Sequence, residues 1–534
     1  MLLQKSWLLP CAWLFSCASA FRPPCSLSPL HLRPNAASRP LSPTCCNHVR
    51  RGLTPYRRLK LEREAEVAPG GKEDTQQAGD VSYAAMLRFV LPTLGIWLAG
   101  PIMSLIDTGC VGTRSSVELA ALGPATTLTD SLLYSCAFIG VATTNLLATA
   151  LAEGNEEEGQ KVVAHALSIA LSMGFVIALV VWGVGEPLLT IFSAGKTPAI
   201  IPPAFRYARR RILGGPACLA TMVMQSACLA SKDSFSPLLV VLAAALLNGI
   251  GDYFSVCRWG QGIGGAATAT ALAEVLSSSL LTYVVLKKQG KRLYPFLKLP
   301  PLPDLKKFAE FAGPIFLALL GKIVCYTYIT YVVTMAGQVP LAAHNVMLRI
   351  FFFFTTFGDS LSQAGQAFLP GLLATDPPSS LRPRLFSRKK EGRPLSDTMI
   401  RKIVVLGGMI GGLNAAFAGL LPLRLPHLFT SDAAITKAMH EITPLLSWAL
   451  LSHACVMGLE GILLAKRQLS YLARIYALDT CLLVGYLYSV NRWTQLGGLH
   501  TGWWGLFLLQ SVRFVQFTFR LRRVRKKERA AAMA

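Results

Sequence analysis

An asparagine and an aspartate lie four residues apart in a long apolar run, and they are the first candidates for chemistry in this chain. Asn248 and Asp252 stand near the end of PLLVVLAAALLNGIGDYF, residues 237–254, which is long enough to enter a bilayer. Residues four apart lie on the same face of a helix. A carboxylate is costly in hydrocarbon, so a membrane segment that keeps one generally uses it. An amide and a titratable oxygen on one face can hold a proton or a small cation, which favours ion-coupled transport.

Four further ionisable residues interrupt apolar segments. Asp107 ends the first segment in SLIDTG, either as a functional acid or as an interface residue at a helix end. Lys322 lies in the seventh segment, Asp359 in the eighth and Glu460 in the tenth. A buried lysine needs a counter-ion, which Asp359 or Glu460 can supply; alternatively, Lys322 attracts an anionic substrate. Glu460 is in turn either a second ion or substrate contact, or a structural partner of a buried base.

The composition predicts the fold class. Of the 534 residues, 52% are hydrophobic and 15% are charged, and the mean hydropathy is +0.46, which is too apolar for a soluble protein of this size. We therefore predict an all-α integral membrane protein with twelve transmembrane helices in two pseudo-symmetric lobes of six. The predicted spans are about 84–109, 119–150, 160–192, 204–230, 236–257, 263–286, 306–335, 340–372, 400–424, 434–465, 468–490 and 500–521.

The formal net charge of +24 reflects topology rather than nucleic-acid binding, because the basic residues are clustered. The clusters are Lys287–Lys307, Arg382–Lys402, Lys466 with Arg467 and Arg474, and Arg520–Arg529. In a twelve-span topology all of them lie on the side that holds both termini, which the positive-inside rule assigns to the side of insertion. Binding of the tail to anionic lipid is the alternative role. The run Arg209–Arg211 lies at a predicted helix end, where snorkelling to headgroups is the ordinary explanation.

The first eighty residues have the composition of targeting segments. Residues 1–20 contain Lys5, an apolar stretch and the small-residue end CASA, which predict a signal peptide. Residues 21–80 begin with a region rich in Arg, Ser and Pro that has no acidic residue before Glu62, which is typical of a transit peptide. The tandem resembles the two-part plastid leader of algae with secondary plastids. A signal peptide followed by a luminal arm of a secretory or plasma-membrane protein is the alternative.

The two halves of the remaining chain resemble each other weakly. SVELAALGPATTL (116–128) opens the second span and GQVPLAAHNVMLRI (337–350) opens the eighth. Repeat-built transporters show such similarity, with the binding site between the halves. We therefore predict an N-terminal lobe at 81–290, a basic linker at 291–305, a C-terminal lobe at 306–521 and a basic tail at 522–534.

Several motifs carry a family resemblance. MLRFVLPTLGIWLAGPIMSLIDTGCVG, LLNGIGDYF, GIGGAATATALAE, LAAHNVMLRIFFFFTTFGDSLSQAGQAFLPG and LEGILLAKRQLSYLA occur in order over about 84–520. The chain resembles the multidrug and toxic compound extrusion (MATE) family, nearest its damage-inducible and plastid branch. The resemblance implies that Asp107, Asn248 and Asp252 hold a coupling proton or sodium ion, with Thr270 as a polar neighbour.

The same resemblance bears on Lys322, and Pro92 is a further candidate on physical grounds alone. Cation-extruding relatives often have an acid in the seventh helix, where this chain has Lys322. Plastid relatives include exporters of organic acids, which favours an anionic solute. Pro92 removes one hydrogen bond from the first helix, so the helix either kinks there when the partners of Asp107 change or is statically kinked.

The predicted function is secondary antiport of an organic solute, such as an organic anion or an aromatic metabolite, against protons or sodium. The chain lacks the phosphate loop of ATP-driven pumps and the motifs of common hydrolases, so we expect neither an enzyme nor a cofactor.

A flippase for lipid-linked precursors is the alternative function. A pigment or scaffold protein of the thylakoid is a third hypothesis, although the histidines show no paired spacing. The expected partners are the solute and the bilayer, with no nucleic acid and no metal, and we expect a monomer in a plastid membrane.

Overall fold

The computed structural model describes residues 82–112, 114–192, 198–288, 300–375, 395–429, 432–493 and 498–533. Helices dominate these ranges, and no described residue lies in a β-strand. The predicted signal and transit peptides and most of the predicted linker lie outside the described residues. The predictions made for them therefore stay predictions.

Six helical spans form the N-terminal lobe. They are α1 (Tyr83–Gly112), α2a (Ser116–Tyr134) and α2b (Ala137–Ala152), α3 (Glu156–Phe192), α4a (Ile201–Arg211) and α4b (Gly215–Ala230), α5 (Phe235–Asp252, continued by a π-helix at Tyr253–Arg258) and α6 (Ile263–Lys288). Short 3₁₀ turns at Pro198–Ile200 and Ile212–Gly214 precede the two halves of α4.

Six more spans form the C-terminal lobe. They are α7 (Leu302–Thr334), α8 (Gln338–Thr375), α9 (Leu395–Arg424), α10 (Ala433–Ala465), α11 (Leu469–Trp493) and α12 (Leu499–Met533), with a 3₁₀ turn at Pro426–Leu428. The two similar sequences each begin the second helix of their lobe, α2a and α8. The predicted basic tail continues α12.

The fold class and the number of spans agree with the prediction. Ten of the described spans are long and apolar enough to cross a membrane. The other two, α11 and α12, are also long but carry charged residues such as Asp479 and Arg513 in their interiors. The chain is thus a multi-pass membrane protein.

Small residues set the spacing of helices within the C-terminal lobe. A methyl group at Gly365 of α8 would lie 3.3 Å from the backbone of Gly461 on α10, and one at Gly461 would collide with the carbonyl of Ser362. In lipid, helix association depends on close van der Waals packing rather than on expulsion of water. Glycines on both sides allow α8 and α10 to pack backbone to backbone.

The two lobes share an apolar core at only one end. We call the end of the bundle that carries the basic sequence clusters the basic side. There, Met86 and Leu147 of the N-terminal lobe belong to one buried cluster with Phe308, Leu369 and Leu464 of the C-terminal lobe. At the opposite end, each lobe has its own cluster of described residues. The described residues of the two lobes therefore pack together on the basic side and form separate apolar cores at the opposite end.

The helix contacts confirm that arrangement. The C-terminal lobe packs through α7 and α8 against α1, α2b and α4b, where α2b and α4b are the basic-side halves of their spans. The rings of Phe89 on α1 and Phe368 on α8 meet edge to face at 5.3 Å between centroids.

One buried hydrogen bond joins the lobes inside this closed end. The Asn145 Nδ2 atom of α2b donates to Oε1 of Gln366 on α8 at 2.6 Å, and both side chains are at most 3% exposed. The bond joins the two polar residues within apolar surroundings, so it holds the lobes in register as well as together.

We predict that Asn145→Ala loosens the basic side. Removing one partner leaves the Gln366 carbonyl buried and unsatisfied, at a cost of roughly 1–3 kcal/mol, which corresponds to roughly a 5- to 150-fold shift toward the state with separated lobes. Hydrogen–deuterium exchange followed by mass spectrometry should show faster exchange in peptides from α2b and from the second half of α8.

Asn414→Ala is the matched control for this prediction. Asn414 is equally buried, and its Nδ2 atom donates to the carbonyl of Phe354 at 2.9 Å, but both residues lie within the C-terminal lobe. This variant should leave exchange in α2b unchanged. Equal exchange in Asn145→Ala and the unmodified protein would contradict the role of the bond.

Candidate functional site

The four N-terminal residues predicted from the sequence meet in one buried cluster, which we call the N-lobe site. Asn248 of α5 donates through Nδ2 to Oδ1 of Asp107 on α1 at 2.8 Å and to Oδ2 of Asp252 at 3.0 Å. The Thr270 hydroxyl of α6 lies 3.5 Å from Oδ2 of Asp107. All four side chains are at most 5% exposed. Three helices thus meet at one amide that bridges two carboxyl groups.

The N-lobe site has oxygen atoms that remain available. Oδ1 of Asn248 and Oδ1 of Asp252 are buried without a hydrogen-bond partner. Two neighbouring carboxylates in a low-dielectric interior are costly when both are ionised and no cation is present. A proton on one carboxyl, or a small cation held by the free oxygens, relieves that cost. Such a set of oxygen donors suits a proton or a hard monovalent ion rather than a soft transition metal.

Local backbone features position Asp252. The α-helical part of α5 ends at Asp252, and Tyr253–Arg258 continues as a π-helix, a rare geometry that is frequent at functional sites. A methyl group at Gly251 would lie 2.9 Å from the Cβ of Ala269 on α6, so glycine is needed for the close contact of the two helices. That contact brings Asp252 toward Thr270. The sequence analysis missed the π-helix, for which the sequence contains no recognised signal.

The interpretation of Arg211 as a snorkelling residue was wrong. Its guanidinium lies inside the lobe, where Nη1 donates to Oε1 of Glu274 on α6 at 2.6 Å and Nη2 to Oδ1 of Asp130 on α2a at 3.3 Å. The Arg211 side chain is only 13% exposed. We call these three residues the Arg211 triad. The sequence did hold a signal, since Glu274 is an acid in an apolar segment, four residues after Thr270.

In the C-terminal lobe, the counter-ion of Lys322 is Glu460. The Lys322 Nζ atom of α7 lies 3.2 Å from each carboxylate oxygen of Glu460 on α10. The Tyr476 hydroxyl of α11 donates to Oε2 of Glu460 at 2.5 Å. Asp359, the other candidate, is half-buried on α8 and interacts electrostatically with Lys322. We call Lys322 and Glu460 the C-lobe pair.

A second buried ion pair in this lobe was missed by the sequence analysis. Nε of Arg513 on α12 donates to Oδ2 of Asp479 on α11 at 3.0 Å, and Gln516 donates to Oδ1 at 2.9 Å. The side chains of Arg513 and Asp479 are 3% and 1% exposed. The guanidinium carbon of Arg513 lies 4.3 Å from the centroid of the Tyr476 ring, and the Nζ atom of Lys322 lies 5.1 Å from it. This pair ties α11 to α12 and supports the tyrosine that contacts Glu460.

Pro92 lies within α1, which is helical on both sides of it. The next residue, Thr93, is buried and donates its hydroxyl hydrogen to the carbonyl of Phe89 at 2.7 Å. Phe89 is the α1 residue that contacts Phe368 across the lobes. The switching role of Pro92 stays a prediction.

The chain is similar to known membrane transporters. A profile of the MatE family matches residues 92–254, from α1 to the π-helix after α5. The chain is 32% identical over 475 residues to Protein DETOXIFICATION 47, chloroplastic, from Arabidopsis thaliana, with 85% of each chain covered. It is 26% identical over 290 residues to DNA damage-inducible protein F from Escherichia coli (strain K12), which covers 54% of this chain and 62% of that protein.

A solved structure shares the fold. A MOP superfamily transporter from Pyrococcus furiosus superposes with a TM-score of 0.73 at 19% identity, covering 88% of this chain and 100% of the other. These findings confirm the resemblance on which the sequence analysis relied. The chain belongs to the MATE family and is a membrane transporter, not an enzyme.

Proposed function

We propose that the protein is a secondary antiporter, which moves an organic solute between its two lobes in exchange for a proton or a sodium ion held at the N-lobe site. The observation that carries the proposal is the Asn248 amide bridging Asp107 and Asp252, with buried oxygens left free on Asn248 and Asp252. A buried cluster of this kind changes its net charge when a cation binds.

Binding of the cation is coupled to the shape of the lobe. Asp107 belongs to α1, and the other end of α1 forms part of the closed basic side through Phe89. Loading the N-lobe site neutralises charge between α1, α5 and α6 and so changes which arrangement of α1 is most stable. A ligand shifts a conformational equilibrium only by its difference in affinity for the two states. The cation therefore drives turnover if the N-lobe site binds it more tightly in one state.

The charged pair in the C-terminal lobe bears on the class of solute. Because Lys322 is paired with Glu460, an anionic solute has to compete with that carboxylate for the ammonium group. We propose that an organic anion binds beside Lys322 when Glu460 is neutral. The solute then replaces Glu460 as the counter-ion of Lys322, so no buried charge is left unpaired.

The proposed location is a plastid membrane. The two-part composition of residues 1–80 supports it, and the Arabidopsis relative is itself named as chloroplastic. A fusion of residues 1–80 to a fluorescent protein should enter plastids of an alga with secondary plastids, whereas a fusion of residues 21–80 alone should remain in the cytosol. Secretion of the first fusion would favour the secretory alternative.

We predict that Asp252→Asn abolishes gradient-driven transport while leaving the fold intact. The substituted amide preserves the size of the side chain but removes the charge that a cation neutralises. Full-length protein is reconstituted in liposomes, and efflux of tetraphenylphosphonium and of benzoate is measured under an imposed pH gradient or, separately, an imposed sodium gradient. Flux should fall to the level of protein-free liposomes, with an unchanged thermal unfolding midpoint.

Glu186→Gln is the matched control, because Glu186 is an exposed carboxylate of α3 in the same lobe. It should transport like the unmodified protein. Full gradient-driven flux in Asp252→Asn would reject the N-lobe site as the coupling site, and the gradient that supports flux identifies the ion.

We also predict opposite effects for the two members of the C-lobe pair. Glu460→Gln frees the ammonium of Lys322 and should tighten benzoate binding, by about tenfold for each 1.4 kcal/mol gained. Lys322→Gln should weaken it. Binding is measured by isothermal titration calorimetry on detergent-solubilised protein. Effects of the same sign on benzoate would show that the pair is structural and that Lys322 does not select anions.

A further inference from the structure

The Arg211 triad lies beside the N-lobe site but outside it. Glu274 follows Thr270 by four residues on α6, so the two side chains share a helix face about one turn, or about 5.4 Å, apart along the axis. Arg211 connects Glu274 to Asp130, and thereby joins α4a and α6 to α2a. The triad therefore continues the row of polar groups that begins with Asp107 and Thr270.

The charges of the Arg211 triad do not balance. It contains two carboxylates and a single guanidinium, so one negative charge remains when both acids are ionised. The other titratable groups that act on Glu274 or Arg211 are Tyr207 and Cys218 of α4, and neither supplies a positive charge. One further cation would make the group neutral.

One atom of the triad is the natural recipient of that cation. Glu274 uses Oε1 for Arg211, whereas its Oε2 is buried and meets no N–H or O–H donor. The carboxyl's remaining polar neighbour is the thiol of Cys218, which is only a weak donor. A buried acceptor without a partner costs roughly 1–3 kcal/mol, and more when it carries charge. A proton on Oε2, or a metal ion beside it, removes that cost.

The backbone near Glu274 leaves space for its carboxyl group and includes a 3₁₀ turn. Gly214 faces Oε2 so closely that a methyl group there would collide with it. Gly214 ends the 3₁₀ turn Ile212–Gly214, which separates α4a from α4b immediately after Arg211. The guanidinium is thus attached at a break in its helix, where a small rotation changes its distance from Glu274.

We propose that Glu274, together with Asp130, forms a second cation-binding site in the N-terminal lobe, which takes a proton or a monovalent metal ion while Arg211 serves as the resident counter-ion. This inference rests on the proposed antiport function and extends it. The lobe then holds two coupling cations in a row, one at Asp107 and Asp252 and one at Glu274. Movement of Arg211 at the 3₁₀ turn between α4a and α4b adjusts the affinity of the second site for its cation.

The test measures equilibrium binding to the purified full-length protein in detergent, without any solute. Radioactive sodium binding at alkaline pH counts sodium ions per protein. Infrared difference spectra recorded across a pH step in sodium-free buffer count carboxyl groups that gain a proton, and so distinguish the two kinds of cation. The unmodified protein should bind two cations of one kind.

The variants separate the two sites. Glu274→Gln and Asp252→Asn should each lose one cation of the two, and the double variant should lose both. Asp130→Asn should also lose one, because it removes the surplus charge, and Asp130 is exposed enough to be replaced without disturbing the fold. Glu186→Gln should retain two.

Three results would overturn the second site. They are retention of two cations in Glu274→Gln, loss of both cations in Asp252→Asn alone, and binding of only one cation by the unmodified protein. Glutamine at position 274 still accepts the hydrogen bond from Arg211, and an unchanged thermal unfolding midpoint separates lost binding from lost structure. Because no solute or gradient is present, this test can fail while the transport assay succeeds, and the reverse.

Discussion

The central constraint in this protein is that two carboxyl groups are buried together in an apolar interior and meet at one amide. Asn248 satisfies one oxygen of Asp107 and one of Asp252 with a single nitrogen. It cannot neutralise them, because an amide donor carries no net charge. When both carboxyl groups are ionised, their charge is therefore left uncompensated in the interior. The packing of α1, α5 and α6 around the amide keeps the two carboxyl groups close together.

The two lobes treat buried charge differently. In the C-terminal lobe, Glu460 is paired with Lys322, and Asp479 is paired with Arg513, which leaves only Asp359 in surplus among the groups described above. In the N-terminal lobe, the buried acids Asp107, Asp252 and Glu274 share the single charge of Arg211 among the residues that form the two clusters, and Arg211 also contacts the exposed carboxylate of Asp130. Breaking a buried pair of opposite charge leaves an uncompensated ion, so such a pair opens at low cost only when another counter-ion replaces the lost one. An excess of buried acid stays costly unless a proton or another cation neutralises it. This difference between the lobes is the basis of the proposed ion site in the N-terminal lobe and the proposed solute contact at Lys322.

The shape of the bundle connects these charges to movement. On the basic side, both lobes contribute to one apolar cluster, whereas at the opposite end each lobe keeps its own. Lobes that pack together at one end and have separate cores at the other are what the proposed alternating access needs in one of its states. The closed end contains the hydrogen bond between Asn145 and Gln366, which stabilises this end only while the two lobes are packed together. Helix α1 carries both Asp107 of the N-lobe site and Phe89 of the closed end, so it links these two parts of the structure.

The sequence by itself determined the membrane-spanning helices, the family and the four residues of the N-lobe site. Long apolar runs are unambiguous because a helix needs about 20 apolar residues in a row to cross a bilayer. An acidic residue inside such a run is conspicuous. The spacing of Asn248 and Asp252 placed both on one helix face, and the family resemblance added Asp107 and Thr270. Only the tertiary structure decided which charged side chains pair with each other. Whether Lys322 meets Asp359 or Glu460 depends on how α7, α8 and α10 pack, and whether Arg211 snorkels or turns inward depends on Asp130 and Glu274, 81 and 63 residues away. Pairings of this kind are made between helices, and the pattern along one helix does not contain them.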